Sequence, residues 1–316
     1  MVYTITLNPA LDYVMKVGSL SYGDINRSKG EEIYYGGKGI NVSVVLTRLG
    51  IENKALGFVA GFTGRQLEKM LTDDSIRCDF NKLETGLTRI NVKIKADVES
   101  GTGKQGSAIN ELDVNAQGPN ISRHDIAELL DKLNEMQEGD FLVLAGSIPN
   151  TLPDDIYEVI LAKLHSRNVN FVVDATGDLL KNALQYKPFL IKPNHLELGD
   201  LFGVETTTEE EIVTYAKKLQ EMGARNVLVS RAEEGAILVD ENGNITKTFN
   251  VEGKMLNSVG CGDSMVAGFL AGYISQKDYA YALKMGTACG NATAFSEELA
   301  TKEEVQEIFD ILQGKQ

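Results

Sequence analysis

Gly260-Cys261-Gly262-Asp263 leads into an apolar run over 265–274, and these residue types in this order describe one kind of chemistry. Glycines at 260 and 262 let the chain bend and let an anion approach bare backbone. The first amides of a helix have no intrahelical partner, so they can hold a phosphate. Asp263 stands beside them, able to accept a proton from an attacking hydroxyl. That pairing suits phosphoryl transfer, in which positioning and charge neutralisation supply most of the catalysis. An Asp opening a helix is also a common cap. The chemistry therefore depends on what the rest of the chain brings to the same helix.

Tyr35-Gly36-Gly37-Lys38-Gly39-Ile40-Asn41 is a second anion-binding entry, with glycines and a cation ahead of a helix. It is not a Walker A loop, because Gly follows the Lys and the four-residue glycine spacing is missing. Asp12 comes just after the strand-like run 2–7 and its Asn8-Pro9 turn, where open α/β sheets gather ligand groups. Arg89 and Asn91 share the polar face of the alternating stretch 88–95 and suit a phosphate or sugar hydroxyls. Each of these also fits a plainer role: a turn Asp, a solvated Lys, or charges on a wet strand face.

Groups so far apart in sequence need a scaffold that gathers them. Apolar strand-like runs at 141–145, 171–174, 189–191 and 226–229 alternate with helical periodicities. One such helix starts at a capping-box-like Ser122/Asp125. This alternation predicts an α/β fold whose mostly parallel sheet is covered on both faces, with active groups at the strands' C-terminal ends. Lys192, Asn194 and Glu197 follow one strand, with Asn194 and Glu197 a helical turn apart. Ser230-Arg231-Ala232-Glu233-Glu234-Gly235 follows another, and 236–251 reads as a hairpin turning at Glu241-Asn242-Gly243-Asn244. A helix over 278–296 carries Gly286, Ala288, Gly290 and Ala292, which permit close packing or nucleotide approach. The short strands between 13 and 35 form an excursion outside the main sheet, and the glycine-rich 100–107 reads as a mobile polar loop.

The composition excludes several classes. A net charge of −14 argues against a general binder of nucleic acid or anionic membrane. Cys78, Cys261 and Cys289 lie far apart, and the three histidines lack metal-ligand spacing. No leader-like start and no stretch of about 20 apolar residues are evident, so a cytoplasmic protein is expected. A Rossmann oxidoreductase is disfavoured, since no Gly-x-Gly-x-x-Gly follows the first strand.

With both glycine stretches in hand, the chain resembles the PfkB (ribokinase-like) carbohydrate kinases. Gly36-Gly37-Lys38-Gly39-Ile40-Asn41-Val42-Ser43 is similar to the family's N-terminal signature and 257–270 to its C-terminal one, and the likeness runs from Thr4 to Thr301. The resemblance implies one three-layer α/β/α domain with a small β-sheet lid drawn from about 10–35 and 88–118. It implies transfer of a phosphoryl group from ATP, with Mg²⁺, to a ketohexose phosphate. Fructose 1-phosphate is the expected acceptor, and tagatose 6-phosphate and fructose 6-phosphate are the alternatives. It also implies a homodimer formed through the lid. Position by position, Asp263 matches the general base and Gly260, Cys261 and Gly262 the anion hole. Asp12, Gly37, Lys38, Asn41, Arg89, Arg27 and Asn91 match the sugar-phosphate side. Lys192, Asn194, Glu197, Ser230–Gly235 and Asn291 match the nucleotide side, with Glu197 reaching the metal through water. A non-catalytic regulator binding the same ligands would be expected to lack Asp263, Lys38 or Glu197, and all three are present. Cys261, Ala60 and Ala232 depart from the family's usual residues, and the region 97–112 is longer than expected.

Overall fold

The computed structural model describes residues 1–314 except 19, 22 and 97–109, so the glycine-rich stretch 100–107 and most of the lengthened region lie outside it. The strands are β1 (Val2–Thr6), β2 (Ala10–Val17), β3 (Ser28–Gly36), β4 (Asn53–Ala60), β5 (Asn81–Leu83), β6 (Arg89–Ala96) and β7 (Asn110–Asn115). They continue as β8 (Phe141–Ala145), β9 (Asn170–Asp174), β10 (Leu190–Ile191), β11 (Asn226–Ser230), β12 (Ala236–Val239) and β13 (Ile245–Thr248). The helices are α1 (Lys38–Arg48), α2 (Gly61–Asp73), α3 (Arg123–Lys132), α4 (Ile156–Leu164) and α5 (Gly177–Ala183). After them come α6 (His195–Phe202), α7 (Glu209–Glu221), α8 (Cys261–Gln276), α9 (Tyr279–Phe295) and α10 (Lys302–Leu312).

Nine strands form one sheet in the order β13-β12-β11-β10-β9-β8-β1-β4-β5, parallel from β11 to β5 and closed by the antiparallel β12 and β13. β1 and β8 are buried at every position, as a sheet covered on both faces requires. Leu129, Ile160, Leu180, Leu198 and Leu219, from α3 to α7, pack on one face. Val42, Leu46, Val266, Leu270, Leu283 and Phe309, from α1, α8, α9 and α10, pack on the other. Capping boxes start α3, α6, α7 and α10, each contributing on the order of 1 kcal/mol.

α8 is apolar all round because it lies between the sheet and α9. Small residues of both helices serve that packing: a Cβ on Gly286 of α9 would fall 2.8 Å from the Met265 carbonyl oxygen, and one on Gly268 of α8 2.6 Å from that of Met285. Of the two uses open to these small residues, helix–helix approach is the one observed at these positions. It fixes the start of α8 at the C-terminal edge of the large sheet.

A second sheet, β3-β2-β6-β7, stands apart from the first. Its register pairs Asp12 with Tyr34 and Asn91, and Val14 with Lys93, so these residues share one face with Arg89 and Lys95. The opposite face carries Tyr13, Met15, Ile33, Ile90, Val92, Ile94, Leu112 and Val114. Asp12 thus sits inside a strand of the small sheet rather than in the turn after β1.

Candidate active site

A cavity of about 560 Å³ opens between the polar face of the small sheet and the C-terminal edge of the large one. Asp12, Gly37, Lys38, Asn41, Arg89, Gly260 and Asp263 all line it, although they come from distant parts of the chain. Its cations, Lys38, Arg48, Arg89, Lys93 and Lys95, are matched by Asp12, Asp74, Asp263, Glu297 and Glu298. In a chain with net charge −14 a lining whose charges balance is less acidic than the rest of the molecule, and cations grouped on it can meet a phosphorylated ligand.

At its inner end Gly260 takes a left-handed conformation, φ 79°, and turns the chain into α8. No side chain caps this helix, and its first internal bond runs from the Ser264 amide to the Gly260 oxygen at 2.8 Å. The amides of Cys261, Gly262 and Asp263 precede that bond, as an anion-binding helix start demands. Asp263 is not the cap. Its Oδ2 accepts from Asn41 Nδ2 at 2.8 Å, a bond that joins the two glycine stretches. Burial, and then the negative charge of Asp174, push its carboxyl up to about 6. Cys261 sits half-buried with its Sγ against the Asn257 oxygen, and burial pushes its thiol up to about 11.

Asp174 closes β9 and was legible as the last residue of an apolar strand, yet no chemical role follows from that position in sequence. In space it lies between two lysines, with Lys38 Nζ at 3.2 Å and Lys192 Nζ at 3.4 Å. Burial would raise its carboxyl, but Lys192 and Lys38 outweigh that and hold it below the ordinary value. Lys38 in turn is disfavoured by burial, but Asp174 and Asp263 keep it above its ordinary value. Lys192 also reaches α8: its Nζ lies 3.2 Å from where a Gly262 Cβ would be. The carboxylate thus holds two cations, of which Lys192 stands beside the first turn of α8.

On the small sheet, Asn91 does not line the cavity; it stands behind Asp12 and donates to its Oδ1 at 2.8 Å. Burial raises Asp12 above the ordinary carboxylate range despite that bond. Arg89 donates to the Asn8 carbonyl at 3.1 Å, and burial lowers its guanidinium. Arg27 is exposed in the loop ahead of β3 and does not reach the cavity. Lys93, paired with Asp113 at 2.9 Å, also lines the cavity, and only its place on the polar face of the stretch 88–95 could have pointed to it.

The remaining expected residues lie together beyond Lys192, outside the cavity lining. Asn194 and Glu197 cap opposite ends of the same turn, each accepting the other's amide at 2.8 Å. Asn194 bridges to Ser230. Arg231 pairs with Glu209 at 2.9 Å and with Glu234, while Glu233 is exposed. Gly235, φ 87°, has the Thr248 oxygen where a Cβ would sit, so only glycine fits. Ala232 accepts from Asn250, whose Oδ1 accepts from Asn291 Nδ2 at 2.8 Å, which links the 230–235 segment to α9. Of the departures, Ala60 is extended at φ −145° and needs no glycine, whereas Ala232 adopts φ 46°.

Among the described residues no cluster of three metal-ligating side chains occurs and no helix is long and apolar enough to cross a membrane. Residues 5–305 match the model of the pfkB family carbohydrate kinases. The chain is 46% identical over 313 residues to 1-phosphofructokinase of Bacillus subtilis, covering 98% of this chain and 97% of the relative. It is 36% identical over 301 residues to D-tagatose-1-phosphate kinase of Bacillus licheniformis, covering 95% and 94%. Its fold superposes on that of Escherichia coli phosphofructokinase-2 in complex with substrates and products with a TM-score of 0.89, 25% identity and 99% of each chain covered.

Proposed function

Because the chain belongs to the pfkB family of carbohydrate kinases, we propose that it moves the terminal phosphoryl group of ATP to the C6 hydroxyl of fructose 1-phosphate, yielding fructose 1,6-bisphosphate and ADP. The name of the Bacillus subtilis relative supports this acceptor. One observation carries the catalytic reading: a buried carboxylate, raised to about 6, lines the cavity at the uncapped start of α8.

In this reading the sugar hydroxyl gives its proton to Asp263 while its oxygen bonds to phosphorus and the bond to the ADP oxygen breaks. The amides of Gly260, Cys261 and Gly262 take up charge on the moving group, with Lys192 beside Gly262. Asp12, oriented by Asn91, and Asn41 hold sugar hydroxyls near Gly37 and Lys38, and Arg89 takes the phosphate already present. The segment Ser230–Gly235 and Asn291 hold the nucleotide next to Asn194. Glu197 is the residue we assign to Mg²⁺, through water. The sparse carboxylates suit an ion held mostly by phosphate oxygens and water, and it would neutralise charge on the phosphates.

The relative that acts on a tagatose phosphate carries a 1-phosphate in its name. D-Tagatose 1-phosphate presents the same C6 hydroxyl and differs from fructose 1-phosphate only at C4, which makes it the rival acceptor; the 6-phosphates would react at C1 instead. ADP release from ATP with each of the four ketohexose phosphates separates these cases. Preference for fructose 1-phosphate is expected, and preference for a 6-phosphate, or no turnover with any, overturns the assignment.

A homodimer through the small sheet, here read as a lid on a single domain, is supported by its outward face. Ile90, Leu112 and Val114 there are 37%, 39% and 55% exposed. A second copy of that face is the natural cover. Val114→Asp should shift sedimentation towards monomer, and an unchanged dimer would count against the lid as interface. The reduced cysteines fit a cytoplasmic setting.

A further inference from the structure

Behind the amides at the start of α8 lies the segment joining α9 to α10, which the roles above leave without a task. Leu299 of this segment lines the cavity, and its Cδ2 lies 2.6 Å from where a Cβ on Gly260 would project. Arg48, the last residue of α1, donates through Nη1 to the carbonyl oxygens of Leu299 and Ala300, the latter at 3.1 Å. From the other side the Ala300 amide donates to Thr293 Oγ1 at 3.2 Å, and Thr293 shares a hydrogen bond of 2.9 Å with Ser264. The segment is therefore tied to α1, to α9 and to the turn of α8 that carries Asp263.

We propose that Arg48 is a positioning residue for phosphoryl transfer: by holding the Leu299 and Ala300 carbonyls it seats Leu299 on Gly260. That contact fixes the left-handed turn before α8 and keeps water off the anion-binding amides. The proposal rests on the kinase reading. Arg48 lines the same cavity, but its guanidinium is engaged by the Leu299 and Ala300 carbonyls, while Asp263 is met by Asn41, so its part is to position and not to react. Gly260 has neither a side chain nor a capping partner to fix its φ of 79°, so its conformation depends on what packs against it. A guanidinium suits the task because its fixed fork of donors can serve two carbonyls, whereas an ammonium is a single point of charge. Without Leu299, water could take the place of the sugar hydroxyl. Its oxygen would bond to phosphorus, its proton would pass to Asp263, and the bond to ADP would break, leaving ADP and inorganic phosphate.

The test uses full-length Arg48→Ala, Arg48→Lys and Leu299→Ala proteins, with ADP and sugar bisphosphate measured in parallel and thermal melts alongside. Arg48→Ala should lower kcat by about 10- to 100-fold, the scale of a small misplacement of catalytic groups, with the KM for ATP little changed. Arg48→Lys should recover part of the loss. Leu299→Ala should form more ADP than bisphosphate. A kcat in Arg48→Ala equal to the parent's, even with a lowered melting temperature, overturns the positioning role, and a one-to-one product ratio in Leu299→Ala overturns the exclusion of water. Should Arg48→Ala not fold, Arg48→Lys decides alone: a reduced kcat at unchanged KM for ATP supports the role, and a parental kcat overturns it. A parent that phosphorylates no sugar overturns the kinase reading itself, a failure visible before any variant is compared.

Discussion

Asp263→Asn preserves the size of the side chain and leaves an oxygen for Asn41 to reach, but it removes both the base and the charge. In the parent, burial and then Asp174 carry this carboxyl from its ordinary value of 3.8 to about 6. Loss of a positioned base should lower kcat by about 10²–10⁴-fold. The stability effect has the opposite sign. A carboxyl raised in the folded state contributes stability that is complete below 3.8 and is lost as pH rises through about 6. Above that, holding Asp263 ionised costs on the order of 3 kcal/mol. The Asn variant carries no such cost, so at pH 7.5 it should be more stable than the parent by on the order of 1–3 kcal/mol. That advantage should shrink towards pH 4. Urea unfolding of both proteins from pH 5 to 8, with initial rates on the same preparations, measures both effects. Parental turnover would refute the base, and an Asn variant no more stable than the parent at pH 7.5 would refute the reasoning about burial.

Asp174→Asn removes the negative neighbour of Asp263, so the acid limb of the kcat/KM profile should move to lower pH; a limb left in place would contradict the coupling between the two carboxyls. Gly260→Ala puts a Cβ on a residue at φ 79° and drives it into Leu299, which should cost about 1–2 kcal/mol in chemical denaturation and lower kcat together with it. Ala232→Gly relieves a φ of 46° and should gain roughly 0.5–1 kcal/mol, and a loss of stability would mean that the turn tolerates alanine without strain.

The scaffold was legible because its signals are local. Apolar strands, capping residues such as Ser122 and Asp125, and glycines at positive φ each announce themselves within a few residues. The chemistry was legible where it too is local, as in Gly260 to Asp263. What no spacing could give is the meeting of partners 222 positions apart, such as Asn41 and Asp263. Asp174 read only as the end of a strand, because its two lysines come from residues 38 and 192. Nothing in the sequence marks out Arg48, a cation in a helix's last turn, where the helix dipole favours one anyway. Asn194 and Glu197 were correctly one turn apart, but their spacing also makes them each other's caps. Arg27 lies away from the cavity although its neighbours in sequence form the small sheet around it.

β1 lies between β4 and β8 in the large sheet, yet it ends at residue 6 and β8 begins at residue 141. On a ribosome adding about 5–20 residues per second, roughly 7–27 s pass before the second neighbour of β1 has been made. During that interval a strand destined to be buried at every position carries an open hydrogen-bonding edge, which invites pairing with another nascent chain. The yield of active protein should therefore respond to translation speed and to chaperones that shield such edges, and a truncation ending before residue 141 should aggregate.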